Sequence, residues 1–184
     1  ASSSYNEARA AGRQASRLVP FLRQPLHASA LALTSKAHVK QALGRDAAPD
    51  LAAAVAQCDA LLAPNPENAE AVAGFNGLFR DPNRTEIMIL RATALMGMRD
   101  VEHLTCAVAA FDEAIDLEPL AAQPYVTRAQ ALIALAAQRA DPRPALLRAD
   151  ESLRGALRRQ PAHPHAAAMR RKVLAMLGDG LGLS

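Results

Sequence analysis

The residues with the widest chemical repertoire in this chain are few and scattered. Gly178-Asp179-Gly180-Leu181-Gly182 has the glycine content of a phosphate-cradling loop. A dinucleotide loop follows a strand and opens a helix, whereas this one follows a helical segment, so it reads as a helix C-cap and tail. His163-Pro164-His165 offers two imidazoles, but no Cys, Asp or Glu stands close in sequence to complete a metal donor set. A turn carrying exposed histidines is the simpler reading. His27 and His38 are eleven residues apart, on one helix face, where they line a groove or sit in solvent. Asn83-Arg84-Thr85 satisfies the glycosylation pattern, yet it also reads as a capped turn, with Asn83 as cap and Glu86 three residues on. Cys58 and Cys106 lie in apolar helical segments and read as small buried hydrophobes rather than a disulfide. There is no Ser-His-Asp or Cys-His arrangement, and no pair of carboxylates beside a Gly-rich loop. The inventory points away from an enzyme and implies no cofactor or metal.

Charge is spread unevenly. Asp100, Glu102, Asp112, Glu113, Asp116 and Glu118 follow one another with no Lys or Arg between them. Arg139, Arg143, Arg148, Arg154, Arg158, Arg159, Arg170, Arg171 and Lys172 make the C-terminal third basic. One reading is complementary solvated faces on neighbouring helices. The other is a basic patch of Arg154, Arg158, Arg159, Arg170, Arg171 and Lys172 for an acidic partner surface. Nucleic acid is the weakest partner class, because no aromatic stacking residues are interleaved with these arginines. The net charge of +3 is mild for a chain of 184 residues, which again argues against a nucleic-acid tail.

These residues must be positioned by helices. The sequence is 51% hydrophobic but only 3% aromatic, with no Trp, so its core is largely alanine and leucine. That suits closely packed helices and suits a β-sandwich poorly. No stretch has the 18 or so uncharged apolar residues of a membrane span. The opening Ala1-Ser2-Ser3-Ser4-Tyr5 is neither a signal peptide nor an initiator methionine, so the chain is expected to be part of a longer, cytoplasmic polypeptide.

Helical segments are expected at residues 5–18, 26–43, 51–63, 69–79, 85–98, 101–117, 121–139, 142–160 and 165–177. Within them the sequence repeats. Arg91-Ala92-Thr93-Ala94-Leu95 returns 37 residues later as Arg128-Ala129-Gln130-Ala131-Leu132, and Pro82 returns as Pro119. Ala107-x3-Phe111-x2-Ala114-x4-Pro119 returns as Ala149-x3-Leu153-x2-Ala156-x4-Pro161. Ala92 and Ala129 stand one turn before Leu95 and Leu132, so a methyl group at the crossing lets a neighbour approach closely. Ala107, Phe111 and Ala114 follow i, i+4, i+7, an amphipathic stripe, and proline then stops the helix. Ala53, Gln57 and Ala60 are expected on the matching stripe of 51–63. Asp141 is expected to cap the following helix, with Pro142 at its first position. Arg171 falls where Ala92 and Ala129 fall, which fits a last helix with nothing stacked beyond it.

This register of small and large residues resembles the tetratricopeptide repeat, whose period is about 34 residues. The resemblance covers residues 5–178. It implies an all-α, right-handed superhelical array (an α-solenoid) of about nine helices in antiparallel pairs. Its parts would be a half repeat at 5–20, repeats at 25–66, 82–119 and 120–161, an irregular helix at 67–81 and a capping helix at 164–178. Ala8, Gly12, Ala15 and Pro20 match the second-helix stripe, so the half repeat would fray, pack on a neighbour or form a homodimer; a simple capping helix is the alternative. The resemblance also implies a non-catalytic scaffold that binds a peptide or protein. Its groove would be lined by first-helix residues, here Gln24, His27, Leu31, Thr34, Glu86, Ile89, Thr93, Gln123, Val126 and Gln130. The inserted Asp141-Pro142-Arg143-Pro144-Ala145-Leu146, with a looser counterpart in Gly44-Arg45-Asp46 and Pro49-Asp50-Leu51, is similar to insertions in arrays C-terminal to bacterial serine/threonine kinase domains. That implies a signalling protein with an upstream kinase domain as a partner in the same chain. The alternatives are a regulatory domain packed on its own catalytic module and a stand-alone adaptor.

Overall fold

The computed structural model describes residues 23–63 and 84–179. Among the described residues it has seven helices and no strand: α1 (Arg23–Ala42), α2 (Ala48–Leu62), α3 (Arg84–Met98), α4 (Val101–Leu117), α5 (Ala122–Ala136), α6 (Arg143–Arg159) and α7 (Ala166–Asp179). The chain divides into two compact units, Ala1–Gly97 and Met98–Ser184. The segments expected as a half repeat at 5–20 and an irregular helix at 67–81 lie outside the described residues.

In the first unit, α1 ends where Gly44 takes a positive φ of 67°. The Gly44 N–H bonds the Gln41 carbonyl and the Arg45 N–H bonds the Lys40 carbonyl, a Schellman closure that favours glycine at this position. Asp46 then accepts from the Ala48 N–H at 2.9 Å and starts α2, with Pro49 in its first turn. Ala47 is the cap residue, and the helix opens three residues earlier than expected. Lys36 and Lys40 of α1 reach Asp50 of α2 at 3.1 and 2.5 Å, which sets the end of one helix beside the start of the next. Ala30, Cys58, Leu61, Ile87 and Leu90 form a buried cluster shared by α1, α2 and α3. At the far end of α3, the Gly97 carbonyl accepts from Gln41 Nε2 at 2.6 Å.

The expected stripe of α2 is displaced by one residue. Ala54, Cys58 and Leu61 are the buried positions, while Ala53, Gln57 and Ala60 are only half-buried. Ala54, Cys58, Leu61 and Pro66 have the spacing of Ala107, Phe111, Ala114 and Pro119, so the corrected register brings α2 closer to the repeat. The step from this stripe to Ala149, Leu153, Ala156 and Pro161 is 95 residues, and the same 95 residues take Asp46 to Asp141 and Pro49 to Pro144.

In the second unit, α5 packs on both α4 and α6, and α6 packs on α7. Gln138, just past α5, bonds the Arg99 carbonyl ahead of α4, and Arg159 at the end of α6 bonds the Pro119 carbonyl ahead of α5. α4 and α6 are therefore each antiparallel to α5. Their inner faces are the expected ones: Ala107, Phe111, Ala114, Ala149, Leu153 and Ala156 are fully buried, as are Ala129 and Leu132 between them. Asp141 accepts from the Arg143 N–H at 3.1 Å, one residue off expectation: Pro142 is the cap and Arg143 opens the helix. In α7, Val173 is fully buried and Arg171 exposed. The turn at residues 161–165 delays the helix, so Val173, its eighth residue, takes the place that Ala129 has in α5.

Candidate functional site

The residues assigned to a groove sit on α1, α3 and α5. Helical geometry gives successive first-helix residues opposite environments. Ala30, Ala92 and Ala129 are fully buried, whereas Leu31 is 51% exposed, Thr93 half-buried and Gln130 exposed. In the first unit α1 carries Gln24 in its first turn, a half-buried His27 and Leu31. Thr34 is buried, and its hydroxyl donates to the Ala30 carbonyl at 2.9 Å, so it belongs to the packing. α3 presents exposed Glu86 and half-buried Ile89 and Thr93, the Thr93 hydroxyl donating back to Ile89 at 2.8 Å. In the second unit, α5 exposes Gln123 and Gln130 and buries Val126. Gln130 Nε2 stands 4.0 Å from Met169 Sδ of α7.

The basic residues separate into three roles. Arg170 and Arg154 converge on Asp150 at 2.7 and 2.9 Å; that carboxylate is 9% exposed, and a buried carboxylate needs such partners. Arg159 lies 4.0 Å over the Tyr125 ring and donates to the Gly155 and Pro119 carbonyls, so it locks α6 to the start of α5. Arg158, Arg171 and Lys172 are exposed with no acidic partner among the described residues. Leu147, Arg148, Glu151, Arg154 and Arg158 line a shallow concavity of about 340 Å³ on α6. On α4, Asp112 meets Arg128 at 3.0 Å and Arg148 at 3.6 Å, so part of the acidic run does face basic neighbours. Sequence reading passed over Asp150; its i, i+4 spacing to Arg154 was the available signal.

The reactive side chains are placed differently from expectation. Cys58 is fully buried, and burial pushes its thiol up to about 12, with Asp59 adding to the effect. Cys106 is exposed, contrary to its reading as a buried hydrophobe, because it precedes Ala107 on α4 and points off the stripe. Neither is in a disulfide. His163, read as an exposed turn residue, is 8% exposed, and its Nδ1 accepts from the His165 and Ala166 N–H groups at 3.3 Å each. It caps the start of α7. The Asp100 carboxyl is held below its usual range by the His103 N–H and ring, and it caps α4. Among the described residues, no three His, Cys, Asp or Glu side chains are grouped to hold a metal ion, and no helix is long and apolar enough to cross a membrane.

Compared with family models, with curated proteins and with solved structures, the chain finds no match.

Proposed function

We propose that the chain is a non-catalytic interaction module that binds a peptide or protein segment on exposed faces of α1 and α3 in the first unit and of α5 in the second. The observation that carries this reading is the paired environment on α1, α3 and α5. A small buried residue fixes each helix, and its neighbour, Leu31, Thr93 or Gln130, is left wholly or partly open. Apolar Leu31 and Ile89, together with polar Glu86 and Thr93, suit an extended segment that offers both side chains and backbone groups. The resemblance to the tetratricopeptide repeat supports the same reading.

The repeated Asp-x-x-Pro start of α2 and α6 favours a further step, in which the module belongs to a bacterial signalling protein with a kinase domain and regulates or recruits for it. The two unpaired cysteines accord with a cytoplasmic setting.

Selection from a random peptide display library tests the reading. The intact chain is expected to enrich a peptide family, and Thr93→Arg with Gln130→Arg is expected to lose those peptides while keeping the helical circular dichroism of the parent. Failure to enrich any peptide, or full binding by the double variant, would move the site elsewhere.

A further inference from the structure

In the second unit, the solvent faces of α4 and α6, the two helices packed on α5, stand at equivalent levels and carry opposite charge. Their buried faces set the equivalence: Ala107, Phe111 and Ala114 match Ala149, Leu153 and Ala156, a step of 42 residues. The same step takes Asp112 to Arg154 and Asp116 to Arg158, and it takes Ala109 to Glu151 and Thr105 to Leu147. The two faces are neighbours, since Arg148 of α6 reaches Asp112 of α4 at 3.6 Å. Asp116 and Arg158 are exposed and form no ion pair among the described residues, although Glu151 lines the same concavity as Arg158. Leu147, 50% exposed, ends the α6 stripe.

We propose that this outer face is a two-fold contact with a second copy of the chain, α4 of each copy lying along α6 of the other. Both helices are antiparallel to α5, so they run in the same direction. A two-fold axis parallel to both, lying outside this face and over the gap between them, therefore sets α4 over the α6 of the second copy, parallel and at equal level. Asp116 then faces Arg158, a pair formed twice, while Asp112 and Arg154, which keep their own partners Arg128, Arg148 and Asp150, stand opposite each other one turn away. Glu151, the one acid of the α6 stripe, faces Ala109 rather than another carboxylate. Thr105 covers Leu147. An acidic peptide would satisfy only the α6 half of this surface, whereas a second copy satisfies both halves. The contact lies on second helices and is independent of the peptide face proposed above.

Sedimentation of the whole chain over a range of concentrations and salt tests the contact. The protein is expected to dimerise at low ionic strength and to weaken as salt screens the pairs. Asp116→Arg or Arg158→Glu alone, both at sites without internal partners, should each weaken the dimer by about tenfold or more. An equimolar mixture of the two variants should recover it, because every reversed charge then meets a reversed partner. A wild-type chain that is monomeric at low salt, a dimer indifferent to either reversal, or a mixture that stays monomeric would overturn the proposal. So would a monomer that binds a poly-glutamate peptide through Arg158, which would assign the face to an acidic partner. Circular dichroism of each variant confirms that the fold is unchanged.

Discussion

At the residue scale, Gly155 sets how closely α6 approaches the start of α5. A Cβ there would stand 2.8 Å from Tyr125 Cδ1 and 3.0 Å from Cε1. The ring has little room to retreat, since the Arg159 guanidinium covers it and its hydroxyl donates to the Pro119 carbonyl at 3.3 Å. Gly155→Ala is expected to cost about 1–3 kcal/mol through overpacking, outweighing the roughly 0.5–1 kcal/mol by which alanine is the better helix former. Urea unfolding measures the difference, and a stabilised variant would mean the ring yields freely. The cysteines show what sequence does and does not disclose at this scale. Both lie in apolar runs, and only phase on the stripe separates them: Cys58 holds the place of Phe111, while Cys106 is one residue ahead of Ala107. In 51–63 alanine occupies so many positions that neighbouring phases look alike, so residue types alone place the stripe one residue early.

At the element scale, helix starts were legible where a side chain caps them. α4 runs over the expected residues because Asp100 accepts from the His103 N–H at 2.9 Å. α5 ends three residues early, where Gln138 and Arg139 turn back on Leu135 and Ala136 with tighter i to i+3 bonds. The Gln138 contact to Arg99 that anchors this turn is long-range, and nothing local in the sequence signals it. The start of α2 depends on charge. Lys40 first, then Lys36, hold the Asp50 carboxyl below its ordinary value. A depressed folded value means the stabilisation is fully present above the ordinary carboxylate range, about pH 4, and is lost as pH falls through the folded value. Asp50→Asn should therefore be less stable than wild type at neutral pH, and the gap in urea midpoint should close in acid. A gap that is constant with pH would remove the ion pairs from the stability of this junction.

At the scale of the whole molecule, what the sequence disclosed is a rule of packing repeated along the chain. Small residues mark crossings, large ones fill beside them, and proline closes each unit. That rule locates the buried faces of α3 to α6 from residue types alone, because the 37- and 42-residue steps compare each helix with its own counterpart. It reached less far at α7, where the turn around the buried His163 shifts the helix by two residues against the count from proline. It also leaves open which exposed side chains meet a partner, since Thr34 and Val126 share the periodicity of groove residues and are buried. The central claim is that Ala129 is held at a close helix crossing in the second unit. Its side chain is fully buried, whereas Gln130 beside it is exposed. The direct measurement is the urea midpoint of Ala129→Phe against Gln130→Phe. The packing described here predicts a loss of about 1–3 kcal/mol or more for the first and little change for the second. Equal stability of Ala129→Phe and the parent chain would contradict it.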